Sequence, residues 1–244
     1  MNEASWDGVR VAITGGTSGL GKGLVDELSK RGARIAFVAR RRGQVEALAR
    51  ELAGTYGITG DISKKEDIYP ISLQMLGALG GLDVLINNAS DLGPAPLAPL
   101  ADTECEEFER ALSTNVVGPF RLTKALLGSL AASAREGRGA VVVNISSDAA
   151  LHPYPMWGAY GASKAALHHL SRIWDEELRA AGVRVLSLDP GDMDTPLHAA
   201  AVPDCDRAAL KQPDAAARQL ADAIAAFRRP RVPDVGAVLN GVLG

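Results

Sequence analysis

The chain has 244 residues, enough for one sizeable α/β core and short for two full domains. Apolar residues make up 47% and charged residues 23%, the balance of an ordinary soluble globular protein. A net charge of −3 gives no electrostatic reason to expect a nucleic acid as partner, and Cys105 and Cys205 are too few and too far apart for a disulfide framework or a metal site.

Val9 to Ile13 is a short β-branched run suited to a strand buried on both faces. It feeds Thr14-Gly15-Gly16-Thr17-Ser18-Gly19-Leu20-Gly21-Lys22-Gly23, after which Leu20, Leu24 and Leu28 keep helical spacing up to Gly32. A glycine turn between strand and helix lets backbone approach a pyrophosphate, and the helix N-terminus offers unpaired N–H groups. The spacing is Gly-x-x-x-Gly-x-Gly, not the commoner Gly-x-Gly-x-x-Gly. Arg34 to Ala39 reads as the second strand. Where a dinucleotide fold often places an acid for the ribose hydroxyls, Arg40, Arg41 and Arg42 stand instead. Guanidinium groups suit a 2′-phosphate, so NADP(H) is favoured over NAD(H).

A helix over about 44–52 leads to a weak strand near 56–59 and then Asp61-Ile62. Asp61 suits either a hydrogen bond with an adenine amino group or a cap on the next helix, expected over 64–79. Leu82 to Ile86 is the next strand, and Asn87-Asn88-Ala89-Ser90 at its carboxyl end is placed to line the crevice of an open parallel sheet. The proline-rich segment 93–99 is a loop. A helical stretch over 103–136 carries Asn115, a poor mid-helix residue, just before Pro119, which removes a backbone donor and invites a kink. A water site at the sheet edge is one reading of Asn115; an exposed, tolerated side chain is the other.

Val141 to Ile145 forms the central strand and leads to Ser146-Ser147. The connector from Leu151 to Trp157 is apolar and aromatic, which suits a pocket wall or a subunit contact. His152, Tyr154, Met156 and Trp157, with Met193 and the segment after it, are the expected pocket residues. Tyr160 and Lys164 share one helix face at i, i+4. A lysine ammonium there favours the phenolate and lowers the tyrosine pKa from about 10 towards the working pH. A phenol so tuned gives a proton to a carbonyl oxygen or takes one from an alcohol. The strand Val183 to Leu188 follows, then Asp189 to Pro196, a segment of about 191–212 that reads as a lid, and a last helix over 219–227. Alternating strands and helices without an internal repeat argue a doubly wound parallel β-sheet with helices on both faces, an α/β fold in one domain. The N-terminus lacks a basic-then-apolar leader and no apolar run reaches the length of a membrane span, so no membrane partner and a cytoplasmic location are expected.

Four motifs agree in order: Thr14-Gly15-x-x-x-Gly19-x-Gly21, Asn87-Asn88-Ala89, Ser147 with Tyr160-x-x-x-Lys164, and Pro190-Gly191. On these the chain resembles a single-domain short-chain dehydrogenase/reductase, from Val9 to Thr195 and more loosely to Phe227. The resemblance implies a three-layer Rossmann fold with 1–244 as one NAD(P)-binding domain. It makes Tyr160 the general acid/base and Ser147, thirteen residues earlier, the group that polarises the carbonyl. Lys164 would bind the nicotinamide ribose and lower the tyrosine pKa, and Asn115 would hold a water of the proton relay. Cofactor contacts carry over to Gly15, Thr17, Ser18, Gly19, Leu20, Gly21, Arg40, Arg41, Asp61, Ile62, Asn88, Ala89, Tyr160, Lys164, Pro190, Gly191 and Thr195. Within that set Asp61 meets the adenine and Thr195 the nicotinamide carboxamide.

The expected activity is NADP(H)-dependent hydride transfer between a small-molecule ketone or aldehyde and its alcohol, with no metal. A catalytically weak dinucleotide-binding sensor is the alternative; a nucleotide-sugar epimerase or dehydratase needs a larger region after the tyrosine helix than this chain has. Three departures from the family pattern stand out. Ser90 replaces the glycine common after Asn-Asn-Ala, and Ser18 stands where NADP-preferring members often carry a basic residue. The segment 230–244 lacks the usual final strand with its Asp-Gly-Gly ending, a region that often builds the tetramer interface, so a homodimer stands beside a homotetramer.

Overall fold

The computed structural model describes residues 5–228, so the expectation for 230–244 lies outside the described residues. Six strands, β1 (Arg10–Thr14), β2 (Arg34–Ala39), β3 (Thr55–Thr59), β4 (Val84–Asn87), β5 (Ala140–Ile145) and β6 (Val183–Leu188), form one all-parallel sheet ordered β3-β2-β1-β4-β5-β6. The chain moves outward from β1 to β3 and then returns to start β4 on the other side of β1. That reversal opens a crevice above the carboxyl ends of β1 and β4, the usual ligand position in such sheets.

The helices are α1 (Gly19–Lys30), α2 (Arg42–Glu51), α3 (Lys65–Leu79), α4 (Cys105–Leu112), α5 (Gly118–Arg135), α6 (Gly158–Leu178), α7 (Pro196–Ala201) and α8 (Pro213–Phe227). Side chains alternate across a strand, so β1 sends Val11 and Ile13 to one face and Ala12 to the other. On the first face lie Leu24 and Leu28 of α1 with Leu220 and Ile224 of α8. On the second lie Ile71 and Met75 of α3 with Leu122 and Leu126 of α5. Both faces are dry, which is why the strands read as unbroken apolar runs. Removing one of these leucines to Ala would cost about 2–5 kcal/mol.

Two helical expectations change. The last helix begins at Pro213, well before 219, and its first turns carry Ala215, Ala216 and Ala217, which give no large apolar periodicity. Small residues are needed there because α8 lies close on α1: a Cβ added at Gly23 would stand 3.3 Å from that of Ala217. The stretch over 103–136 is also not one helix, because α4 and α5 are joined by a π-helical turn, Ser113–Val117. Pro119 has no N–H to give the Asn115 carbonyl its α-helical hydrogen bond, and the widened turn absorbs the mismatch. Asn115 is buried, so the exposed reading fails.

The base of the sheet is held by an ion cluster that the sequence reading did not anticipate. Asp83, fully buried just before β4, accepts hydrogen bonds from Arg10 Nη2 at 2.7 Å, Arg138 Nε at 3.1 Å, the Arg10 N–H at 2.9 Å and the Ser133 hydroxyl. Burial opposes its charge, but these donors outweigh burial and hold the carboxyl well below the usual carboxylate range. Among the described residues no helix is long and apolar enough to cross a membrane.

Asp83→Asn should lower stability by about 3 kcal/mol, because it strands two guanidinium groups against a neutral amide. The Asp83 contribution exists above the ordinary carboxylate pKa and is lost only as pH falls through its depressed folded value. The deficit in Tm should therefore be full at pH 7 and close only in strong acid; equal Tm values at pH 7 would refute the assignment.

Candidate active site

A cavity of about 870 Å³ opens above the carboxyl ends of the strands. Its wall runs from the glycine turn and Arg40 at one end to Ser147, Tyr154, Trp157, Tyr160 and Met193 at the other. Gly15, Thr17, Ser18, Gly19, Leu20, Gly21, Arg41, Asp61, Ile62, Asn88, Ala89, Pro190, Gly191 and Thr195 also line it. Residues spread over most of the chain thus meet in one crevice.

The glycine turn is shaped by close approach. Gly15 sits at φ +70°, and a Cβ on it would stand 2.9 Å from the Ala89 Cα. A Cβ on Gly21 would run into the Gly15 carbonyl oxygen and stand 2.5 Å from Asn88 Nδ2. The turn is clamped to the end of β4 by two residues. Thr14 Oγ1 accepts the N–H groups of Asn88 and Ala89, each at 3.0 Å, and Asn88 Nδ2 donates to the carbonyls of Thr14 at 2.9 Å and Gly15 at 3.3 Å. No side chain caps α1 and no acid stands in its first turn, so its N-terminal N–H groups and dipole are free to meet an anion in the cavity.

Arg40 and Arg41 are exposed at the rim and make no ion pair among the described residues, whereas Arg42 is paired with Glu46 at 2.7 Å. Asp61 lines the cavity and its Oδ1 accepts the Ser63 N–H at 3.0 Å and hydroxyl at 2.7 Å, but it does not cap α3, whose N-cap position is Lys64 and which has no side-chain cap. Thr195 caps α7 by accepting the His198 N–H at 3.2 Å. The segment over Gly191 is pinned by Lys211, whose ammonium donates to the Pro190 carbonyl at 3.0 Å.

At the other end Tyr160 is nearly buried, with the Trp157 ring edge-on at 5.6 Å between centroids. Burial pushes its phenol up to about 12; the Ser147 hydroxyl pulls the other way, Asp189 raises it, the Ser90 hydroxyl lowers it, and Asp148 raises it. The expected lowering by Lys164 is therefore overturned. The Lys164 ammonium donates to the Ile145 carbonyl at 2.8 Å and lies 5.4 Å from the centroid of the tyrosine ring. Its own pKa is pushed down by burial to about 8. Sharing a helix face brought the pair together, but desolvation outweighs any help the lysine gives the phenolate.

Four expected site residues lie off the cavity wall: Lys164 and Asn115, which are buried, and His152 and Met156, which are exposed. The Asn115 amide is fully engaged: Nδ2 donates to the Asp91 carbonyl and to Ser163 Oγ, both at 2.8 Å, while Oδ1 accepts the Asp91 N–H at 2.8 Å. It fastens the π-helical turn to α6 and to the segment after β4. Met156 is exposed and off the wall, while Tyr154, Trp157 and Met193 are on it.

Sequence reasoning missed Asp148. Its Oδ1 accepts the Ser147 hydroxyl at 3.0 Å and its Oδ2 accepts the Tyr154 hydroxyl at 2.8 Å. Adjacency to Ser147 was the one available clue, and it says nothing of the bridge. A buried chain behind the site was also missed: Asn87 Nδ2 donates to Asn144 Oδ1 at 2.8 Å, and Asn144 Nδ2 donates to Ser171 Oγ at 2.8 Å.

The short chain dehydrogenase family model matches residues 10–206. The chain is 33% identical over 189 residues to serine 3-dehydrogenase from Rhizobium radiobacter, covering 76% of this chain and 72% of that one. A 3-ketoacyl-(acyl-carrier-protein) reductase from Brucella melitensis, solved with NADH, superposes with a TM-score of 0.82 at 30% identity, over 89% of this chain and 90% of that one. An alcohol dehydrogenase from Thermococcus sibiricus, solved with 5-hydroxy-NADP, gives a TM-score of 0.78 at 27% identity, over 88% and 90%. With the glycine turn, Ser147 and Tyr160 gathered in one crevice and the family model matching most of its length, the chain belongs to the short-chain dehydrogenase family of oxidoreductases.

Proposed function

We propose that the protein is an NADP(H)-dependent oxidoreductase that interconverts a secondary alcohol and its ketone, with Tyr160 as general acid/base. One observation carries this reading: a single cavity joins an anion-receptive glycine turn and two arginines without an ion pair among the described residues to a phenol and a serine hydroxyl. The cradle fits a nicotinamide dinucleotide, since the glycine turn lines the cavity at the uncapped N-terminus of α1, and Gly15 and Gly21 let that turn pack on the end of β4 where a side chain would clash. When bound, the nicotinamide supplies or accepts the hydride.

The chain's own groups do the rest. In the reducing direction Tyr160 is a phenol near neutral pH, since burial holds its proton, and it gives that proton to the carbonyl oxygen as the oxygen gains charge. Ser147 donates a second hydrogen bond to that oxygen, for which its proton must leave Asp148 Oδ1. Lys164, seated against the Tyr160 ring and the Ile145 carbonyl, is the group proposed to meet the nicotinamide ribose. Asn115 enters the proton relay through its backbone carbonyl, since its side chain is engaged and Pro119 denies that carbonyl its helical donor. Arg40 and Arg41 take the 2′-phosphate, and Tyr154, Trp157 and Met193 present an apolar and aromatic surface to the ketone. The segment 191–212 acts as the lid. Exposed Phe120 on α5, next to Trp174 on α6, together with exposed Ile173 supports a homo-oligomer, dimer or tetramer.

Tyr160→Phe should cut turnover of a ketone found by screening with NADPH by about 10²–10⁴-fold while leaving cofactor affinity unchanged. Near-normal turnover would remove Tyr160 from the chemistry. Nicotinamide fluorescence should show NADPH binding at least about tenfold tighter than NADH, with the preference lost in Arg40→Ala. An NADH preference in the native protein would overturn the cofactor assignment and leave the reductase reading in place.

A further inference from the structure

We propose that Asp148 is a specificity-determining residue, selecting carbonyl substrates that carry a hydrogen-bond donor, a hydroxyl or an amine, on the carbon next to the carbonyl. The inference deepens the proposed function and rests on Ser147 and Tyr160 holding the substrate oxygen.

Asp148 bridges two hydroxyls on the cavity wall. Its Oδ1 accepts the Ser147 hydroxyl at 3.0 Å and its Oδ2 accepts the Tyr154 hydroxyl at 2.8 Å. Burial opposes its charge, but the Tyr154 and Ser147 hydroxyls hold the carboxyl below its ordinary value. Near neutral pH it therefore only accepts hydrogen bonds.

The Ser147 hydroxyl has one proton and two claimants. Its oxygen accepts the Ala149 N–H at 3.2 Å, and its proton lies on Asp148. When that proton turns to a substrate carbonyl, Asp148 Oδ1 loses its side-chain donor. Nothing nearby replaces the loss. The Tyr154 proton is on Oδ2, and the Ala149 N–H is on Ser147 Oγ. Asp189 and Asp192, on the same wall, are acceptors too, while Arg40 and Arg41 stand at the far end of the cavity. Asp148 is exposed in the open cavity, and a substrate seated on Ser147 displaces the solvent beside Oδ1. A carboxylate oxygen stripped of donors is costly, so the substrate must bring one.

The spacing places that donor on the substrate. Oδ1 stands 3.0 Å from Ser147 Oγ, one hydrogen bond apart. A carbonyl oxygen and a hydroxyl oxygen on the neighbouring carbon are also separated by roughly one hydrogen-bond length. The carbonyl oxygen then meets Ser147 while the neighbouring donor meets Asp148, side by side. Tyr154 holds the carboxylate through its other oxygen, and Trp157 and Met193 face the carbon frame. An ether or a methyl group at that place leaves Oδ1 unpaired, and sites built to bond a substrate donor reject analogues that lack it.

Three aryl ketones of similar size separate the donor from its inductive effect: α-hydroxyacetophenone, α-methoxyacetophenone and propiophenone. Each is titrated calorimetrically into the protein saturated with NADP⁺, which has no hydride to give. The hydroxyketone should bind at least about tenfold more tightly than the other two, and in Asp148→Ala the three should agree within about threefold. With NADPH the same preference should appear in kcat/KM. Asp148→Ala should abolish it, the hydroxyketone falling and propiophenone rising as the Ser147 proton is released. A fall common to all three ketones would mark a merely structural role and overturn the proposal. Equal affinities, or no ketone binding, in the native complex would do the same. Failure to bind NADP⁺, or turnover retained in Tyr160→Phe, would instead overturn the reading on which it rests.

Discussion

The site depends on one clamp between the carboxyl ends of β1 and β4. Thr14 Oγ1 takes two successive N–H groups from the β4 side, and the Asn88 amide returns two hydrogen bonds to the β1 side. Parallel strands exchange no bonds beyond their ends, so without the clamp the glycine turn and the Asn88–Ser90 segment would be free to part. With it, the turn keeps the left-handed Gly15 pressed on Ala89, and the segment carries Ser90 into the cavity wall. Binding of a phosphate by backbone N–H groups demands that kind of rigidity, because the donors cannot be re-aimed by side-chain rotation.

Behind the wall the protein keeps polar groups in a dry interior and uses them to fix position. Asn87, Asn144 and Ser171 form a hydrogen-bonded chain across β4, β5 and α6. Asn115 does the same between the π-helical turn, α6 and the segment at Asp91. Asn115 and Asn144 have both ends of the amide paired at 2.8 Å, while Asn87 donates through Nδ2 and leaves its Oδ1 buried without a partner among the described residues; together they hold the elements that carry Tyr160 and Ser147 in one register. Lys164 is the extreme case, an ammonium in the interior with a backbone carbonyl as its hydrogen-bond acceptor.

The chemistry of the phenol follows from what surrounds it more than from its nearest charge. Burial against Trp157 and the charges of Asp148 and Asp189 favour the neutral form, and the Ser147 and Ser90 hydroxyls pull the other way. Under the proposed function, a phenol held neutral in this way is the form that gives its proton to a carbonyl oxygen. Asp148 adds a further constraint, since its two oxygens engage the hydroxyl protons of both Ser147 and Tyr154.

The sequence by itself determined the order of the six strands along the chain, the glycine turn, the arginines after β2 and the pairing of Tyr160 with Lys164 on one helix face. These are local matters, set by apolar runs, glycine spacing and the helical repeat. Only the tertiary structure decided that Arg40 and Tyr160 share one cavity, that Asn88 spends its amide on the turn, and that His152 stays off the cavity wall. It also decided the sign of the tyrosine shift, because i, i+4 spacing reports nearness while desolvation depends on everything packed around the ring. Asp83 illustrates the same division: its partners Arg10, Ser133 and Arg138 are dispersed in sequence and come together only because β1, β4 and the end of α5 meet at the base of the sheet.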